Sequence, residues 1–186
     1  MTFTHWGIEY GYHDAEYNDT RKNERAVELP IALGFADRFA EGLEVGNVLG
    51  HYGVNGHRVV DRYEHESSVD NTDVFDISGK YEWIVAISTL EHVRWDPPEP
   101  REPQAALRAL RHLESLLLPG GRMLVTIPMG HHSWLDPVLM AGHSGATREC
   151  TMVRDGDGWR QTDVLQWEPY GLTTIWAESV WIGEWL

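Results

Sequence analysis

Several short stretches of this sequence combine acidic, hydroxyl, imidazole and glycine residues at spacings that suit ligand chemistry. In Leu43-Glu44-Val45-Gly46-Asn47-Val48-Leu49-Gly50 a β-type run ends in an acidic residue followed by glycines, which let a ligand approach the backbone closely. Arg58-Val59-Val60-Asp61 also ends in a carboxylate, and at the end of a neighbouring strand such a group can accept both hydroxyls of a ribose. Asp76, following Asp73-Val74-Phe75, offers an acceptor for an amino group. Ser88-Thr89-Leu90-Glu91-His92-Val93, and His131-His132 with Asp136 nearby, bring imidazoles that can move protons near neutral pH. Taken singly, each aspartate is more often a solvated loop residue. Their order along the chain is what gives them meaning.

These groups need a scaffold that brings strand ends together. From Gly42 onward, short β-like runs alternate with turns and helical stretches, the pattern of a parallel sheet with crossover helices. The strands predicted are Leu43–Val45, His57–Val60, Val74–Ile77, Trp83–Ser88 and Met123–Ile127. The run Trp83–Ile87 is almost wholly apolar, as a central strand covered on both faces requires. Gln104–Leu118 has the apolar period of an amphipathic helix and is stopped by Pro119-Gly120-Gly121. Upstream, Asp19–Phe39 reads as a helix broken at Pro30, which has no N–H to donate and pushes Leu29 out of α geometry, and then a second short helix. Downstream, Asp155-Gly156-Asp157-Gly158 predicts a hairpin turn, and Thr173–Trp185 a buried closing strand. The proline-rich stretch Asp96–Pro103 reads as a stiff surface loop. The expected organisation is a single α/β domain: an N-terminal helical lid segment (1–41), a binding core (42–128), and a C-terminal part (129–186) carrying the substrate side and the closing strands.

Composition narrows the function classes. With 186 residues, 42% of them hydrophobic and 11% aromatic, one domain can bury a core without metal or disulfide support. Cys150 is the only cysteine, which fits a reduced, cytoplasmic setting. The N-terminus lacks a signal-peptide pattern, and no window nears the roughly 20 apolar residues of a membrane span, so neither secretion nor a membrane partner is expected. Acidic side chains outnumber basic ones, 29 to 15, and the resulting net charge of -14 repels phosphate backbones, which disfavours nucleic acid. The densest basic group, Arg21, Lys22 and Arg25, reads as a solvated helix face. Trp176, Trp181 and Trp185 argue for apolar surface shared in a homodimer.

Taken in order, Glu44-x-Gly46, Asp61, the Ser88–Val93 run after a fourth strand, and Leu116-Leu117-Leu118-Pro119-Gly120-Gly121 before a fifth resemble a class I S-adenosylmethionine-dependent methyltransferase, over Gly42–Pro128. The resemblance implies a Rossmann-like fold with a central, mostly parallel sheet and an antiparallel C-terminal strand. It implies S-adenosyl-L-methionine as cofactor and methyl transfer to a small-molecule acceptor. It also implies Glu44 and Gly46 at the methionine part of the cofactor, Asp61 on the ribose, Asp76 on the adenine amine and Ser88 facing the cofactor. Asn47 stands where many family members have cysteine or glycine.

If the acceptor must lose a proton, His131 or His132 oriented by Asp136 is the expected base, because the loop after the fifth strand lies at the same sheet edge as the cofactor loops. His92 is expected to matter more for the shape of the site. No metal is expected, since His131, His132 and Asp136 lack the helical two-histidine spacing of a metal site. Trp6, Tyr10, Tyr12 and Tyr17 are candidates for an aromatic lid over the sulfonium.

Two features depart from the family. The stretch from Gly46 to Asp61 is short, with Gly50, Gly53 and Gly56 interrupting what is normally a helix, and the chain ends early, leaving little room for an inserted substrate domain. The first departure keeps open a methyltransferase-fold protein that binds the cofactor or another ligand without methyl transfer. A nicotinamide-dependent dehydrogenase is disfavoured, because Gly46, Gly50 and Gly53 miss the G-x-G-x-x-G spacing.

Overall fold

The computed structural model describes residues 1–36, 41–98, 100–166 and 176–186. An N-terminal hairpin of β1 (Thr2–His5) and β2 (Ile8–Gly11) leads through a 3-10 segment into α1 (Arg25–Ala36). β3 (Gly42–Val45), β4 (Arg58–Val60), β5 (Val69–Asp70) and β6 (Tyr81–Ile87) follow. Then come α2 (Ala105–Ser115), β7 (Leu117–Pro128), α3 (Leu135–Met140), β8 (Arg148–Asp155), β9 (Gly158–Thr162) and β10 (Ser179–Trp185).

Eight strands form one sheet in the order β5-β4-β3-β6-β7-β10-β8-β9. Strands β5 to β7 of that order run parallel, and β10 inserts antiparallel to both β7 and β8. This is the Rossmann-like sheet with an antiparallel C-terminal strand that the motifs imply. Both faces are covered, which explains the unbroken apolar run of β6. Ile84 and Ala86 join a core with Leu110 and Leu113 of α2 and Leu135 and Leu139 of α3. Trp83, Val85 and Ile87 turn the other way, into a core with Phe3 of the hairpin and Val27 and Leu29 of α1. Each of the larger aliphatic and aromatic side chains contributes about 2 kcal/mol through burial.

Several expected elements differ. Helix α1 runs through Pro30 instead of breaking there. Proline deletes the bond that the Ala26 carbonyl would receive, and that carbonyl accepts the His13 N–H at 3.0 Å in its place. Residues Val74–Ile77 are not a strand: Val74–Asp76 is a 3-10 turn, which Asp73 caps by accepting the Phe75 N–H at 3.1 Å. The outer parallel strand is β5. The first eleven residues form a hairpin, not part of a helical lid. Between β3 and β4 a single 3-10 turn, Leu49–Tyr52, replaces a helix, in line with the interrupting glycines.

Trp181 and Trp185 lie in the monomer's own core, with ring centroids 6.3 Å apart, so two of the three tryptophans invoked for a homodimer are interior, while Trp176 is half-buried. The hairpin at Asp155–Gly158 is formed by β8 and β9. The closing strand begins at Ser179, and Thr173–Ile175 lie outside the described residues. Among the described residues no helix is long and apolar enough to cross a membrane.

Candidate functional site

The carboxyl ends of β3, β4 and β6 open onto a pocket of about 500 Å³. That size suits a small-molecule ligand, and that edge is where parallel sheets bind ligands. The β3 loop supplies Gly46, Asn47 and Val48, and the β4 loop supplies Asp61 to Glu64. The capped turn supplies Thr72, Asp73 and Val74, and the segment after β6 supplies Ser88, Thr89 and His92 to Arg94.

The loop after β3 owes its shape to two residues. Gly46 has φ +86°, and a Cβ added there would sit 2.2 Å from Thr89 Oγ1. Only glycine permits both that backbone conformation and that approach. Glu44, fully buried, lies beneath the loop and does not line the pocket. Its Oε1 accepts the N–H groups of Val48 at 2.8 Å and Leu49 at 2.6 Å, and its Oε2 meets His57 Nε2 at 2.8 Å. The carboxylate therefore braces the loop from below. Asn47 pins this loop to the next one by donating to Glu64 Oε1 at 2.7 Å.

On the second loop, Asp61 Oδ1 accepts the N–H groups of Tyr63 at 2.8 Å and Glu64 at 3.0 Å. Its Oδ2 makes no hydrogen bond among the described residues and is available to a ligand. Asp73 is clamped by Arg62, at 2.7 Å, and Arg94, at 2.5 Å, so the rims after β4 and β6 are tied together. Asp76 is exposed and outside the pocket. Ser88 has φ +43°, uncommon for a residue with a side chain, and donates its hydroxyl to buried Glu28 of α1 at 2.7 Å.

The histidines separate into two environments. His92 lines the pocket and is half exposed. Its Nδ1 lies 2.5 Å from Asp96 Oδ2, while His131 Nε2 lies 3.1 Å from Asp96 Oδ1, and the two imidazole centroids are 4.7 Å apart. Partial burial works to raise the Asp96 pKa, but the hydrogen bonds and charges of His92 and His131 outweigh it and hold the carboxyl below its usual range. His132 is fully buried and stacks on Trp95 at 3.8 Å. Its Nδ1 accepts the Leu135 N–H at 3.1 Å, and burial lowers its pKa to about 4. Asp136 Oδ2 accepts the Gly130 N–H at 2.9 Å. Neither His132 nor Asp136 reaches the pocket, and the carboxylate beside His131 is Asp96.

Gly46, Asn47, Asp61, Ser88 and His92 line the pocket, whereas Glu44, Asp76, His131, His132 and Asp136 do not. Asp73, Arg62, Arg94 and Asp96 take positions that the motifs did not assign. A capping signal marks Asp73 in the sequence, an aspartate two residues before Phe75. Asp96 carries no such signal beyond opening a proline-rich loop. The aromatic lid is not formed by the N-terminal segment: Tyr10 and Tyr12 pack on Phe3, Tyr17 stacks on His51, and Trp6 lies under the Arg148 guanidinium.

The fold is that of the class I S-adenosylmethionine-dependent methyltransferases. The structure is similar to N-methyltransferase NodS from Bradyrhizobium japonicum WM9 in complex with S-adenosyl-L-homocysteine, at 13% sequence identity and a TM-score of 0.51 over 84% of this chain and 81% of that one. A second structure of NodS aligns at 14% identity and a TM-score of 0.50 over 84% of this chain and 89% of that one. At such identities the likeness establishes the fold. No protein-family model matches the sequence, and no curated protein matches it significantly.

Proposed function

We propose that this protein transfers a methyl group from S-adenosyl-L-methionine to a small-molecule acceptor. The observation that carries the reading is the pocket at the strand ends, with Gly46, Asp61 and Ser88 on its walls in a methyltransferase fold. The donor set fits the cofactor: the Gly46 backbone is open to close approach, Asp61 keeps one carboxylate oxygen for ribose hydroxyls, and the net charge of -14 favours a cationic ligand. NodS, of like fold, binds the demethylated cofactor, S-adenosyl-L-homocysteine. When bound, the cofactor supplies an electrophilic methyl on a sulfonium, and the protein's task is to hold the acceptor in line with it. Asp73, clamped by two arginines, forms the pocket wall where Asp76 was expected to meet the adenine. The strongly acidic surface favours a small-molecule acceptor over nucleic acid, in a cytoplasmic setting.

Titration calorimetry with the cofactor and its demethylated product tests the reading, with measurable affinity for both as the expected result. Asp61→Ala should weaken binding by roughly 1–3 kcal/mol, or about 5- to 150-fold, through loss of two hydroxyl partners. Unchanged affinity would remove Asp61 from the site.

On the acceptor side, His92 takes precedence over His131 and His132, because it alone of the three lines the pocket. Turnover in His92→Ala is expected to fall about 100-fold with cofactor affinity preserved. His132→Ala should act through stability instead. A second reading, ligand binding without transfer, draws on the single 3-10 turn that replaces the first crossover helix. It would be favoured by tight cofactor binding with no methyl transfer to any acceptor in a broad amine, phenol and carboxylate panel.

A further inference from the structure

The His92, Asp96 and His131 cluster has a composition and shape that suit the binding of a single ion. One donor atom from each residue lies within 4.8 Å of the others, close enough for a single ion to contact all three. The donors come from three different segments: the turn after β6, the loop that follows it, and the loop after β7. The loops are held together, since Trp95 donates its Nε1–H to the His131 carbonyl at 3.3 Å and stacks on His132. The three side chains are 49%, 39% and 30% exposed, so the cluster is open to solvent on one side. On the far side of the His92 ring, Nε2 lies 3.6 Å from Oε1 of buried Glu91.

We infer that His92, Asp96 and His131 form a binding site for one divalent transition-metal ion, of the Zn²⁺ class, at the rim of the pocket. Two imidazoles and a carboxylate suit such an ion better than Mg²⁺, which prefers an all-oxygen shell. Three protein ligands leave coordination positions open, as in catalytic and not structural sites. His92 joins the two features, being both a ligand and a pocket wall. Resting on the methyl-transfer reading, the ion's role is to bind a hydroxyl oxygen of the acceptor and lower its pKa, so that the proton passes to solvent and the oxygen forms a bond to the methyl carbon as the S–C bond of the sulfonium breaks and S-adenosyl-L-homocysteine leaves. The trio differs from His131, His132 and Asp136, two of which are buried in structural contacts. Its members are 35 residues apart in sequence between Asp96 and His131, a separation that no local spacing rule detects.

Calorimetric titration of the purified, chelator-treated protein with Zn²⁺, in the absence of cofactor, tests the site directly. One equivalent is expected to bind, with affinity reduced at least tenfold in both Asp96→Asn and His131→Ala. Mg²⁺ should bind weakly or not at all. His143→Ala, which alters an exposed histidine elsewhere, controls for adventitious binding and should leave the titration unchanged. Circular dichroism checks that the exposed substitutions leave the fold intact. Zn²⁺ affinity within twofold of the parent in Asp96→Asn and His131→Ala would overturn the site. Cofactor titrations keep the two readings apart: Asp96 and His131 lie outside the pocket, so their variants should bind S-adenosyl-L-methionine as the parent does. Zn²⁺ binding at the trio in a protein that does not bind the cofactor would retain the metal site and defeat the methyl-transfer reading.

Discussion

Glu44→Ala is expected to cost about 3–5 kcal/mol of stability and to abolish cofactor binding, although Glu44 does not touch the pocket. The reason is local. Truncation leaves the buried Leu49 N–H and the nearly inaccessible His57 ring without their acceptor, and leaves the Val48 N–H with only the Gly46 carbonyl, 3.1 Å away. Each buried donor left unpaired costs about 1–3 kcal/mol. The loop that they hold carries Gly46 and Asn47, so its release removes one wall of the site. Glu44→Gln should be much milder, about 1–2 kcal/mol, because the amide oxygen can still accept both N–H groups. Urea denaturation of the ligand-free proteins measures the difference. A loss below about 1 kcal/mol in Glu44→Ala would show that the loop does not depend on this brace.

The second large effect is a loss of stability on mild acidification, arising from His5 and His132. Burial lowers both pKa values from 6.5 to about 4, aided at His5 by the positive charge of Arg148. Because the folded-state value lies below the unfolded one, the unfolded chain binds more protons between them. The contribution is therefore fully present above pH 6.5 and is lost as pH falls toward 4. Going from pH 7 to pH 5, each histidine should remove about 2 kcal/mol, and the pair about 4 kcal/mol. Glu24 and Glu91 work in the opposite sense, since burial raises their pKa values and acid favours their folded, protonated forms. Comparison of the parent with single variants isolates the histidines. His132→Asn, which retains an acceptor for the Leu135 N–H, should reduce the pH 7 to pH 5 stability difference by about 2 kcal/mol. The same slope in parent and variant would mean that His132 is protonated in the fold at pH 5.

Much of the architecture was legible in the chain itself. The apolar run Trp83–Ile87 can only be a strand buried on both faces, and its side chains divide between two cores as that reading requires. The period of α2, the glycines after Glu44 and the turn at Asp155-Gly156-Asp157-Gly158 needed no tertiary information, because helix period and turn geometry are properties of adjacent residues. Glycine at position 46 follows from the same local logic: a positive φ and a close contact admit no side chain.

Pro30 marks the limit of that logic. The sequence rule for proline is correct about the missing bond, but whether the helix breaks depends on whether another group reaches the orphaned carbonyl, and His13 does. Asp76 and Asp73 illustrate the same limit at the site. Both are acidic and three residues apart, and only the capped 3-10 turn decides which of them faces the pocket.

By itself, then, the sequence determined the class of fold, the strands at its centre, and the pocket positions carried by strand ends, because those depend on periodicity and on residues that precede or follow one another. Tertiary structure alone decided which carboxylate serves which histidine. Asp136 was the near neighbour in sequence, yet the group within hydrogen-bond distance of His131 is Asp96, brought in by a loop after a different strand. Interactions between side chains fall off over a few ångströms in space, whatever their separation along the chain, and folding is what sets that distance.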